Sequence, residues 1–344
     1  MNIGNRINRP ADVRTFKESD KLVDSSVYIG YEVEVEGLRK PLNLSGLWES
    51  KPDGSLRDNG IEYVFAHPLK GADVVTAVVE IMAALNKSKC SMSHRCGAHM
   101  HIDVRDMNED TLASFIAHIV MFERAMYAYS GADRDSNIFC LPYYKAERGL
   151  DGFGLMLANR NFDYLFESTD KYYGVNLRAI QRYGSVEFRM LPGTLDVARV
   201  LTWINVLLSM RKAAVSMGSV DKFLHTVSSS GVLDYAAEVF AGVPEFLPYV
   251  KEHDMYKGMR LVQSFLNYSN LSVAYKHLPK KLGGHSLISK FAATHGLKIK
   301  EQAEDGNPLD HLKINISKNM YEHRFGEWVD RRPNEIVFDE EIDL

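Results

Sequence analysis

Three cysteines in 344 residues, Cys90, Cys96 and Cys140, are too few for a disulfide framework, and their spacing is not that of a zinc ribbon. They read as ordinary thiols of a protein kept in a reducing compartment. An excess of positive charge is missing too: 41 Lys and Arg stand against 45 Asp and Glu, a formal net charge of -4. That balance draws the chain neither to nucleic acid nor to an anionic membrane surface. No apolar run reaches the length of a membrane span, and Met1–Asp20 is polar and mixed in charge, without the apolar core of a signal peptide. The expectation is a cytoplasmic protein with no membrane partner. Internal repeats and low-complexity tracts are likewise missing. What is present is a globular composition, 45% hydrophobic and 25% charged, long enough for one large or two ordinary domains.

The chain divides into four stretches. Residues 1–26 read as a solvated arm, and 335–344 as an acidic tail carrying Glu335, Asp339, Glu340, Glu341 and Asp343. Between 27 and 217, short alternating runs mix with helical ones, the pattern of an α+β domain. Ala72–Asn86 and Asp110–Tyr129 carry apolar residues at helical spacing, and Asp196–Met217 is a long helical run opened by a capping Asp196. After Gly218 alternation fades, and residues 218–334 read as a mainly helical C-terminal part.

In a strand, residues two apart share a face. In Gly30–Glu36 this rule puts Glu32, Glu34 and Glu36 on one side, with Val33 and Val35 on the other. In Gly60–Phe65, Glu62 lies opposite Ile61, Tyr63 and Phe65; in Gly97–Asp103, His99, His101 and Asp103 lie opposite Ala98, Met100 and Ile102. In Ser185–Met190, Glu187 and Arg189 share a face backed by Val186, Phe188 and Met190.

One reading is an antiparallel sheet with an ordinary solvated face. Such faces are rich in Lys, Thr and Ser, however, whereas these positions hold Glu, His, Asp and Arg and no Lys. Carboxylates two apart on a strand stand about 7 Å apart and repel by roughly 2 to 2.5 kcal/mol at an effective dielectric near 20. In bulk water the repulsion falls to about a quarter of that, so an exposed face could bear it but a pocket needs cations. Glu-x-Glu, a third Glu and His-x-His suit Mg²⁺ or Mn²⁺; for His-x-His alone, zinc is the rival.

Taken in order, Gly30-x-Glu32-x-Glu34, Trp48 followed by Asp53-Gly54-Ser55-Leu56, Gly60-Ile61-Glu62-Tyr63, Cys96-Gly97-x-His99-x-His101-Ile102-Asp103 and Glu187-Phe188-Arg189 resemble the amidoligase family. These are carboxylate-amine ligases with a glutamine-synthetase-like catalytic fold, many of them encoded by bacteriophages. The resemblance covers roughly Val27–Met217. It implies a curved antiparallel sheet with helices on its convex side, and a concave face that binds ATP and two or three Mg²⁺ or Mn²⁺ ions. By motif, Glu34 and Glu62 look like ligands of one ion, and Glu32, His99 and Glu187 of the ion nearer the phosphates. His101 and Arg189 would face the phosphates. Tyr173–Arg178 reads as a further strand with Asn176 and Arg178 on one face, which adds Arg178 as a phosphate or carboxylate clamp. The implied partners are a carboxylate donor and an amine acceptor, joined through an acyl phosphate. A variant making a γ-glutamyl peptide, a zinc hydrolase and a non-enzymatic structural protein are the other readings.

The remaining features have plainer readings. Asp53-Gly54 after Pro52 is a turn signal, preferred over a substrate contact. His94, His118 and His225 have no paired spacing and read as surface or core histidines. Trp203 and Met210–Met217 read as helix core, and Lys280-Lys281 as a solvated turn.

Overall fold

A computed structural model describes residues 22–276, apart from residues 59, 132, 160, 169 and 170. Most of the expected arm, the acidic tail and Lys280-Lys281 lie outside the described residues. Among those described, six strands form one antiparallel sheet: β1 (Ile29–Val35), β2 (Trp48–Pro52), β3 (Ile61–Phe65), β4 (Ala98–Asp103), β5 (Val175–Asn176) and β6 (Ser185–Phe188), in the order β2-β3-β1-β4-β6-β5. Four of them are the runs whose alternation separates charge from apolar side chains. β2 was not foreseen; its residues from Glu49 to Pro52 are exposed, so it carries no buried-face pattern.

The apolar face is the start of the core. Ile29, Tyr31, Val33, Tyr63, Ala98, Met100, Ile102, Val186 and Phe188 are all buried on it. Tyr31 meets Trp48 and Phe65 edge-on, both with ring centroids at 5.8 Å. Helix α1 (Ala72–Lys87) turns Val74, Ala77, Val78, Ile81, Met82 and Leu85 inward at three- and four-residue spacing. Helix α2 (Glu109–Ser130) starts where the Asn108 side chain accepts the Thr111 amide, and it is buried almost all round. It touches the sheet through Phe115 and Phe188, at 6.2 Å.

Four short elements follow: a 3-10 turn at Tyr143–Lys145, α3 (Glu147–Asn159), α4 (Asp163–Ser168) and α5 (Ala179–Tyr183). Helix α6 (Val197–Met217) begins at Asp196, whose carboxylate accepts the Ala198 and Arg199 amides. It ends at Gly218 in the left-handed conformation, φ 71°. Beyond it run α7 (Val220–Ser230), α8 (Val232–Val239) and α9 (Glu252–Lys276), with α7 and α9 packed on α2. The buried core continues across Gly218 through Val220, Phe223, Val227, Tyr235 and Val262. No helix among the described residues is long and apolar enough to cross a membrane.

Candidate functional site: an acidic face on the sheet

The strand register aligns the charged positions into a row. Glu34 pairs with Glu62 between β1 and β3, Glu32 with His99 between β1 and β4, His101 with Glu187 between β4 and β6, and Glu187 with Asn176 between β6 and β5. Glu32 sits at the centre, its two oxygens 3.3 Å from His99 Nδ1 and 3.2 Å from His101 Nε2. His101 is steadied on its other side by Ser185 Oγ, 3.0 Å from Nδ1. Glu187 accepts from Arg189 Nη1 at 2.5 Å through one oxygen and from Asn176 Nδ2 at 2.7 Å through the other. Arg189 Nη1 also lies 3.4 Å from His99 Nδ1. Glu34 accepts the Gly97 amide at 2.6 Å.

Electrostatics separate these carboxylates. Burial raises the pKa of Glu62, and the neighbouring Glu32 and Glu34 charges raise it further, to about 8. Burial also raises Glu34, against the pull of His99 and the Gly97 amide. Glu32 is buried too, yet hydrogen bonds from His101 and His99 outweigh that and hold it well below the usual range. Burial opposes charge on His101 and on Arg189, but Glu32 and Glu187 raise the first, and chiefly Glu187 the second.

Among the described residues, three sets of ligand atoms lie within 4.8 Å of one another: Glu32, His101 and Glu187; Glu32, Glu62 and His99; Glu34, Asp53 and Glu62. They share Glu32 and Glu62. The donors are carboxylate oxygens with at most one imidazole per set and no thiolate, a composition suited to hard divalent cations. The crowding that lifts Glu62 is what such a cation would relieve, so the residues fit the ions expected from the sequence.

The face therefore gathers seven of the eight sequence-derived site residues: Glu32, Glu34, Glu62, His99, His101, Glu187 and Arg189. Arg178 is the exception. The expected strand from Tyr173 to Arg178 is only Val175–Asn176, because Asn176 Oδ1 accepts the Arg178 amide at 3.1 Å and bends the chain toward α5. Arg178 has helical backbone angles, φ -64° and ψ -22°, lies beyond the end of β5, and has an exposed side chain.

Asp53 both turns the chain and joins the acidic set. One of its oxygens accepts the Ser55 amide at 2.7 Å, as the turn reading expects, while Asp53 also stands among Glu34 and Glu62. Asn176 and Ser185 were not singled out as contacts; the strand alternation that places them beside Glu187 and His101 was the available signal. Glu36 and Asp103 share the alternation but not the ligand sets. Glu36 accepts the Arg57 amide at 2.8 Å, and Asp103 takes a two-pronged hydrogen bond from Arg105, 2.8 Å at each contact.

No curated protein matches this chain. The family described as "Putative amidoligase enzyme" matches residues 60–210, a little under half of the chain. The matched segment contains β3, β4, β5 and β6, with Glu62, His99, His101, Glu187 and Arg189, while Glu32 and Glu34 reach the same face from β1. Residues 60–210 of this chain are therefore similar to the amidoligase family.

Proposed function

We propose that the acidic face is the metal and nucleotide site of an ATP-dependent ligase joining a carboxylate to an amine, on a sheet of the glutamine-synthetase catalytic type. The observation that carries this reading is the overlap of three hard-cation ligand sets through Glu32 and Glu62. Glu34, Asp53 and Glu62 would hold one Mg²⁺ or Mn²⁺, and Glu32, His99, His101 and Glu187 the remaining ion or ions. When bound, the ions neutralise triphosphate oxygens while a carboxylate is phosphorylated to an acyl phosphate, from which an amine displaces phosphate to leave the amide.

The chain's own contribution is electrostatic. Glu187 fixes Nη1 of Arg189 and the Phe139 carbonyl its Nε, so that Nη2 serves negative charge on the transferring group. A preorganised donor of that kind is commonly worth about 3 to 4 kcal/mol of barrier. His101, fixed between Ser185 and Glu32, faces the phosphates, and the mechanism requires no covalent nucleophile. A zinc hydrolase built on both imidazoles finds less support, since no ligand set contains both His99 and His101.

The test is calorimetric and thermal titration with a nonhydrolysable ATP analogue, with and without Mg²⁺ or Mn²⁺, on the native protein and on Glu187→Ala. Metal-dependent binding is expected in the native protein only, with about 3 kcal/mol of stabilisation at a hundredfold excess over Kd. A native protein that binds no nucleotide with either metal overturns the reading.

A further inference from the structure

Tyr183 is the last residue of α5 and is 56% exposed, whereas the other exposed tyrosines among the described residues lie between 36% and 40%. It is not a side chain on a loose loop. Gly184 follows it in the left-handed conformation, φ 69°, and donates its amide to Ile180 O at 3.0 Å. The Gly184 carbonyl then accepts the Val104 amide at 3.0 Å, tying the turn to the end of β4. A side chain at Gly184 would put its Cβ 2.3 Å from Arg105 Cγ, so the approach is close as well as bonded. The backbone thus fixes an aromatic ring at one place, outside the core.

That place is the wall of the acidic face. The Tyr183 ring stands 5.6 Å from the His101 ring, at 87° to it. His101 belongs to the ligand set with Glu32 and Glu187, and it is the residue expected to face the phosphates. The Arg182 guanidinium lies 5.0 Å from the Tyr183 ring centre and adds positive charge there. Beyond the other end of β6, the Phe139 carbonyl accepts from Arg189 Nε at 3.4 Å. The Phe139 ring, however, already has Tyr172 edge-on at 6.2 Å and Arg95 over it at 5.3 Å. Tyr183 carries the same two kinds of partner, His101 edge-on and Arg182 over one face of the ring, but at 56% exposure it leaves more surface to a ligand than the half-buried Phe139.

We propose that Tyr183 is the stacking platform for the base of the nucleotide, a purine ring whose phosphates lie toward His101. The inference rests on the ligase reading and extends it from the phosphates to the base. An exposed tyrosine gives a planar apolar surface at low conformational cost, and a base stacked on it keeps its polar edges in water.

The experiment uses the full chain with Mn²⁺ and two probes, a nonhydrolysable ATP analogue and inorganic tripolyphosphate, titrated calorimetrically into the native protein, Tyr183→Ala and Tyr183→Phe. Loss of one base stack weakens nucleotide binding by roughly 5- to 140-fold. That loss is expected in Tyr183→Ala, with tripolyphosphate affinity unchanged and nucleotide affinity restored in Tyr183→Phe. Native-like nucleotide affinity in Tyr183→Ala overturns the platform while leaving the ligase reading intact. Equal losses for both probes also overturn it, because Tyr183 would then be acting through His101 on the phosphates. A native protein that binds neither probe removes the ligase reading, and the platform with it.

Discussion

The amide of Gly97 donates to Glu34 Oε2 at 2.6 Å, and a Cβ on Gly97 would stand 2.4 Å from His99 Nε2 and 3.3 Å from that same oxygen. One glycine therefore orients a carboxylate and leaves room for an imidazole. In Gly97→Ala the imidazole has to move. Mn²⁺ affinity should fall by roughly 10- to 100-fold, as when an orienting partner is lost from a metal site, with the far-ultraviolet dichroism unchanged. Calorimetric titration decides the point, and native affinity in the variant would show that His99 takes no part in holding the ion.

Glu62→Gln should stabilise the metal-free protein while weakening the metal-bound one. The folded pKa of Glu62, about 8, lies above its unfolded value, so the fold binds more protons and loses stability as pH rises from about 4.5 to 8. A neutral side chain of the same shape removes that loss. Allowing for solvent screening of a half-buried group, the gain is about 1 to 2 kcal/mol at pH 8, vanishing below pH 4.5. Urea unfolding with and without Mn²⁺ tests both halves, and a variant less stable than the native protein in the absence of metal would contradict the repulsion argued for this face.

At Glu123, where full burial raises the pKa to about 7 against two backbone amides that lower it, the same substitution is compared at pH 6, below that value, and there destabilises. This carboxylate is fully buried in α2 and accepts the amides of Tyr143 at 2.6 Å and Tyr144 at 2.7 Å, one on each oxygen. In Glu123→Gln one of those amides faces an NH₂ group. The loss should be about 1 to 3 kcal/mol, read from the shift in the urea midpoint. Metal binding should stay native, since the residue is not among the ligand sets.

His118 supplies a pH dependence of its own. Burial lowers its pKa to about 4, and its two nitrogens are used by the Ser114 carbonyl at 2.7 Å and the Tyr235 hydroxyl at 2.5 Å. The Ser114 carbonyl requires a proton on Nδ1, so Nε2 accepts from tyrosine and the ring is neutral. The unfolded chain takes up a proton near pH 6.5 that the fold refuses until about pH 4, so stability is lost as pH falls through that window. Relative to His118→Phe, the native protein should lose about 3 kcal/mol between pH 6.5 and pH 4. A pH-independent difference between the two proteins would mean that the ring takes up its proton in the fold at the same pH as in the unfolded chain.

The site was legible because a strand has period two. Glu32 with Glu34, His99 with His101, and Glu187 with Arg189 each repeat at that spacing, and pairing of the strands brings the repeats into one row. The rule failed where a side chain interrupts it: Asn176 captures the amide of Arg178, and alternation read past that point has no meaning. Asp53 was hard to see for another reason, because a turn aspartate and an aspartate of an acidic cluster have the same sequence signature, and this residue turns the chain at Ser55 while standing with Glu34 and Glu62. Helix α3 was missed because Gly149, Gly152 and Gly154 weaken a helical pattern. Packing explains all three: a Cβ at Gly149 would meet Tyr143 Cε2 at 2.9 Å, one at Gly152 Ser168 Oγ at 1.7 Å, and one at Gly154 Phe265 Cδ1 at 3.0 Å. Contacts between distant segments of that kind leave no periodic trace.

Among the described residues strand β2, the exposed one, pairs on one side only, with β3, and stands at the margin of the sheet. Glu49 and Lys51 put opposite charges along it, and Pro52 withholds an amide at its end. At the far side of the sheet β5 is two residues long, too short to template a partner. Both margins are thus blunted, one by charge and proline and the other by brevity. The acidic row stays in a sheet of fixed width, protected from the edge-to-edge aggregation that an open sheet invites.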